Sequence, residues 1–101
     1  MDTKSLIADS KARFNHNSAK AQLKDKYDGR LVIADQGGLW KATPETIAFL
    51  SYMDTETVIL ADTFDNLVEV DRAPLLQKLR ELYSSVMSEW HKEWKAIESK
   101  R

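Results

Sequence analysis

From Leu75 onward the apolar positions recur with the period of a helix: Leu75, Leu76, Leu79, Leu82, Tyr83, Val86, Met87, Trp90, Trp94 and Ile97. Steps of three and four from Leu76 through Leu79, Tyr83 and Val86 to Trp90 trace a heptad seam. Leu75 and Leu82 flank the seam on one side, Met87 and Trp94 on the other. No Gly or Pro interrupts the segment after Pro74. The pattern therefore predicts one long C-terminal helix, capped by Asp71 and with Pro74 in its first turn. About thirty residues at 1.5 Å each make a rod on the order of 40 Å. A compact domain of this length has a radius of gyration of about 13 Å, so the rod should overhang the rest of the chain or be packed by another long helix.

The N-terminal region carries the same period more thinly. Leu6, Ile7, Phe14, Ala21 and Leu23 follow an N-cap at Asp2 or Thr3 and predict a helix over 3–27, stopped by Asp28 and Gly29. Asn15, His16, Asn17 and Ser18 are poor helix formers and predict a kink or break.

Between the helices the period shortens. Residues 30–34 (RLVIA) and 39–42 (LWKA) flank Gln36, Gly37 and Gly38, a hairpin in which the two glycines are expected to supply positive φ angles. Residues 57–61 (TVILA) look like a buried strand, and 67–70 (LVEV) return after the turn at 62–66. Between the hairpins, Thr43 as N-cap, Pro44 at the first helical position and Glu45 in the first turn start a short helix through Ile47, Ala48, Phe49 and Leu50 to about Tyr52. These elements predict a single α+β domain over residues 1–101: a small antiparallel sheet of two hairpins, flanked by an N-terminal helix, a short middle helix and a long C-terminal helix.

Composition sharpens this picture. Hydrophobic residues make up 43% of the 101 and charged residues 31%, with three Gly and two Pro, the balance of a folded chain. Cysteine is absent, which excludes disulfides and thiolate metal sites and fits a cytoplasmic location. No apolar run approaches the roughly 20 residues that span a bilayer, so no membrane association is expected. Net charge is -1, unevenly spread. Residues 1–29 hold six Lys/Arg against four Asp/Glu, residues 30–71 two against eight, and residues 72–101 seven against four. Basic ends and an acidic middle suggest self-complementarity, within one copy or between copies, rather than a broad nucleic-acid surface.

Candidate chemistry is sparse. His16 and His91 are the two histidines, and neither has a second ligand at metal-site spacing. Residues 62–66 lack the alternating acids and distant Glu of a calcium loop and read as turn chemistry. Gln36, Gly37 and Gly38 lack the context of a phosphate loop, and no nucleophile elbow is present. The expectation is a protein with no catalytic residues, metal, cofactor or small-molecule substrate. An alternative is a nucleic-acid-associated accessory protein using Arg13, Lys20, Lys24 and Lys26 beside Phe14 and Tyr27, diluted by Asp25 and Asp28.

The more productive feature is the apolar stripe itself. Two tryptophans stand one turn apart in WHKEW, residues 90–94. Large buried side chains contribute roughly 1.5–3 kcal/mol each, and the N-terminal helix offers few large residues to cover them. A second copy of the C-terminal helix covers them better, which favours a homo-oligomer, a dimer first, or else a protein partner. Leu79, Tyr83, Val86, Met87, Trp90, Trp94 and Ile97 form the expected interface.

The stretches SLIADSKARFNHNSAKAQLKDKY, ADQGGLWKATPETIAFL and DTFDNLVEVDR together resemble a small protein carried by contractile-tailed bacteriophages, especially those of marine cyanobacteria. The resemblance covers most of the chain. It implies a virion-assembly or accessory role in an infected bacterium and brings no catalytic residues with it.

Overall fold

The computed structural model describes the backbone of residues 3–99 and the side chains of residues 17–99. The expected cap at Asp2 lies outside the described residues, as do the side chains of Leu6, Ile7, Arg13, Phe14 and His16. The chain runs α1 (Thr3–Arg30), β1 (Val32–Asp35), β2 (Gly38–Lys41), α2 (Pro44–Tyr52), β3 (Thr57–Ala61), β4 (Leu67–Asp71) and α3 (Arg72–Ser99), an α+β order.

Helix α1 is continuous, so the break expected at residues 15–18 does not occur. Unfavourable propensity costs each such residue no more than about 0.7 kcal/mol, too little to interrupt a helix anchored along its later turns. The helix also passes Asp28 and Gly29 to end at Arg30. There Lys24 bonds Asp28 at 2.8 Å one turn along, and Tyr27 is buried against α3.

The expected single sheet is two separate two-stranded ladders, β1 with β2 and β3 with β4, both antiparallel. They are joined by a few specific bonds rather than by a continuous ladder. Thr63 N–H donates to the Leu39 carbonyl at 3.0 Å, and Leu39 N–H donates to the Asp62 carboxylate at 3.2 Å. The Gln36 side chain does the same work at the other end of the second hairpin. Its amide donates to the Asp71 carbonyl at 3.2 Å and accepts from the Asp71 N–H at 2.6 Å, imitating a strand residue.

The positive φ angles of the first hairpin fall on Gln36 (49°) and Gly37 (80°), the signature of a type I′ turn, and not on the two glycines. Gly38 is needed for space instead. A Cβ there would stand 2.5 Å from Cζ2 of Trp40, whose indole lies along the hairpin and donates to the Asp35 carbonyl at 2.7 Å.

Helix α2 begins as expected, with the Thr43 hydroxyl accepting from the Thr46 N–H at 3.1 Å and Pro44 at its start. Arg72, the first residue of α3, donates to the Leu50 carbonyl at 3.0 Å and the Thr55 carbonyl at 2.7 Å. A guanidinium thus satisfies the C-terminal end of α2, where the helix dipole favours a cation. The core forms where α2, the inner face of β3 and β4 and the first half of α3 meet, with Leu50, Val70, Leu75 and Leu79 fully enclosed.

Beyond this head the molecule is drawn out. Its extents are 65 × 24 × 20 Å and its radius of gyration is 19.2 Å, well above the ~13 Å of a compact chain of this size. The elongation comes from α1 lying antiparallel along the second half of α3. Because Lys20 already reaches Glu98 near the end of α3, the earlier part of α1 runs past that end.

Candidate interaction site on the C-terminal helix

Two helices meet in the stalk through an aromatic seam bordered by ion pairs. Tyr27 stacks on Trp90, ring centroids 6.0 Å apart and planes 8° from parallel. Lys20 sits 4.9 Å over the Trp94 ring, while Lys26 and Arg30 lie 5.0 and 5.1 Å over Tyr27. The same three cations bind the glutamates of α3 in antiparallel order: Lys20 to Glu98, Lys26 to Glu93 at 3.0 Å, and Arg30 to Glu89.

These contacts move the titrations in the expected directions. The hydrogen bond from Lys26, with help from Tyr27, holds the Glu93 carboxyl below its usual range, and the same bond raises Lys26. Glu89 raises Arg30 by its hydrogen bond. Burial, then the neighbouring Glu93, pushes the Tyr27 hydroxyl up. The charge asymmetry of the sequence is therefore used between the two ends of the chain, basic α1 on the glutamates of α3. Lys78, bonded to Asp35 at 2.6 Å, joins α3 to the acidic middle.

The seven residues expected to face a partner divide into three groups. Leu79 and Val86 are enclosed by the chain's own core, which removes them from any partner surface. Tyr83 and Ile97 are half-buried against the same core. Met87, Trp90 and Trp94 stand together with His91 around an open groove of about 200 Å³. Trp94 keeps 39% of its surface exposed, and His91 stacks on it at 6.5 Å and 18°. A heptad count identifies the apolar face of a helix; it does not say which chain covers each part of it.

The turn at residues 62–66 is organised by one side chain. The Asp62 carboxylate accepts from the N–H groups of Phe64 at 2.9 Å, Asn66 at 3.0 Å and Leu39 at 3.2 Å. Burial pushes its carboxyl up, but the three N–H donors together outweigh that and hold it below the usual range. Beside it, residues 34–39 and Phe64 line an open hollow of about 670 Å³. The two carboxylates in that hollow are already engaged, Asp62 by backbone and Asp35 by Lys78, whose hydrogen bond lowers the Asp35 carboxyl.

Sequence reasoning missed the outer face of the second hairpin. Strand β3, expected to be a buried strand, buries Val58 and half-buries Leu60, while Ile59 points outward at 66% exposure. The clue is the acidic alternation of LVEV, which marks a two-stranded unit with one face in solvent. Among the described residues, no helix is long and apolar enough to cross a membrane. No family model matches the chain, and no curated protein or solved structure matches it.

Proposed function

We propose that this protein is a non-enzymatic structural or assembly module that works by binding, through the distal face of α3, a second copy of itself or another protein. The observation that carries the reading is Trp94, left 39% exposed next to Trp90 and Met87 in an open groove on a rigid helix. Large aromatics held on ordered elements and grouped at a surface are the usual anchors of protein interfaces. The resemblance to a small protein of contractile-tailed phages supports virion assembly as the setting, in the host cytoplasm or in the virion. The nucleic-acid reading loses support because Lys20, Lys24, Lys26 and Arg30 are each held by a carboxylate.

Light scattering across a concentration series, on Trp94→Ala and Trp90→Ala beside the wild type, tests the proposal. Trp94→Ala should weaken association more than it lowers the melting temperature. Trp90→Ala should lower the melting temperature, because it removes the ring that Tyr27 stacks on. If both substitutions only reduce stability, the two tryptophans are core residues and the reading fails.

A further inference from the structure

Two faces of this molecule lack a covering element among the described residues, and they complement each other. The first belongs to β3 and β4. Their register sets Val58 opposite Val70 and Leu60 opposite Val68 on the inner side, so Ile59, opposite Glu69, and Ala61, opposite Leu67, face outward. Leu67 is 76% exposed, and Phe64 in the connecting turn 71%. Ile59 and Leu67 make an apolar patch on the outer side of the hairpin.

The surroundings of that patch are acidic throughout. Residues 54–71 contain Asp54, Glu56, Asp62, Asp65, Glu69 and Asp71 and no Lys or Arg. Asp62 is turned onto backbone N–H groups. The other five are exposed, and none makes an ion pair among the described residues. By contrast, Glu89, Glu93 and Glu98 each hold a cation of α1.

The second face is the groove of Met87, Trp90, His91 and Trp94, whose free charges have the opposite sign. Lys95 lies one turn beyond His91 on the same side of the helix. Lys92 and Lys95 are both exposed and make no ion pair among the described residues. The groove and the patch are set apart along α3, which follows β4 without a gap and reaches Glu93 roughly 30 Å further on. A single copy therefore does not close onto itself.

We propose that the distal groove of α3 in one copy docks on the outer face of the second hairpin in another copy. Trp94 and Met87 meet Ile59 and Leu67, and Lys95 meets Glu69 and Asp71. The inference rests on the assembly reading above and names what the helix binds. The contact joins two different surfaces, so a pair still has one free hairpin, on one copy, and one free groove, on the other, and growth gives a ring or an open chain. Part of the attraction is between exposed charges and weakens with salt.

Sedimentation velocity on the wild type, Glu69→Lys, Lys95→Glu and an equimolar mixture of the two variants tests this pairing. The wild type should associate more strongly as its concentration rises, and less so at about 0.5 M salt. Each single variant sets like charges against each other and should weaken association roughly tenfold or more. The mixture should recover it, because the unaltered groove of Glu69→Lys meets the unaltered hairpin of Lys95→Glu, and the two altered surfaces carry opposite charges as well. If both variants weaken association but the mixture does not recover, the direct pairing is wrong. If Lys95→Glu weakens association and Glu69→Lys does not, the groove binds some other surface; the inference falls while the assembly reading stands. A wild type that stays monomeric at high micromolar concentration overturns the inference, and with it self-assembly.

Discussion

Replacing Leu79 with alanine separates the core of this protein from its proposed interface. Leu79 lies on the heptad seam of α3 but is completely enclosed, packed in the same cluster as Leu50, Val70 and Leu75. Leu79→Ala removes three buried carbons, about 2.4 kcal/mol at ~0.8 kcal/mol each. The hole is walled by a rigid helix and a strand pair that relax only partly, which raises the cost to about 3–4 kcal/mol. With a urea slope of roughly 1.5 kcal/mol/M for a chain of this size, the unfolding midpoint should fall by about 2 M at unchanged slope. A domain with typical stability of about 5–15 kcal/mol still folds in water, so association can be measured on the same sample. It should match that of the wild type. Trp94→Ala should show the reverse emphasis, association strongly reduced and the midpoint lowered by less than for Leu79→Ala, because Trp94 keeps 39% of its surface in water. A midpoint shift equivalent to less than about 1 kcal/mol for Leu79→Ala, together with lost association, would refute the placement of this residue inside the monomer.

Gly38→Ala should cost about 1–3 kcal/mol, because the new Cβ displaces the Trp40 indole and breaks its bond to the Asp35 carbonyl; an unaltered tryptophan emission spectrum with an unaltered midpoint would contradict this. The Asp62 carboxyl is held below its usual range in the folded protein, so its stabilisation is complete above the unfolded-state value of about 4 and is lost as pH falls through the lower folded-state value. Asp62→Asn should therefore lower the melting temperature at neutral pH and flatten the acid limb below about pH 4. Parallel pH profiles for variant and wild type would rule out that account. Gln36→Ala should loosen the junction of the two hairpins by removing both bonds to Asp71. Faster amide exchange at Asp71 is the expected readout, and unchanged protection there would argue against it.

What was legible in the sequence was local. Thr43, Pro44 and Glu45 mark the start of α2 by the chemistry of a helix N-terminus, and the residues from Leu75 to Ile97 mark α3 by spacing alone. What was not legible depends on residues far apart in the chain. Gln36 holds a positive φ that a sequence reader assigns to glycine, and its side chain is bound to Asp71, 35 positions away. The junction of the two hairpins rests on Asp62 reaching Leu39, which no strand pattern encodes. The outward turn of Ile59 follows from its register with Glu69, and a five-residue apolar run such as TVILA does not disclose that register.

The thin apolar stripe of α1 raises a further point about how tryptophan is covered. Counting large apolar side chains makes α1 look too poor to pack against α3, which is why a second copy is the natural expectation from sequence. The structure uses a different material. Leu23 and Tyr27 supply the apolar contact, and the cations supply the rest: Lys20 lies over the Trp94 ring, Lys26 and Arg30 over Tyr27. The charged ends of these long side chains sit over the aromatic rings and meet the glutamates of α3 at the same time. A helix poor in leucine but rich in lysine can therefore shield the inner side of an aromatic seam. It shields that side alone, because the cations must stay within reach of the carboxylates that anchor them. Met87, His91 and the exposed part of Trp94 fall beyond that reach, which leaves the distal face of α3 open to a partner.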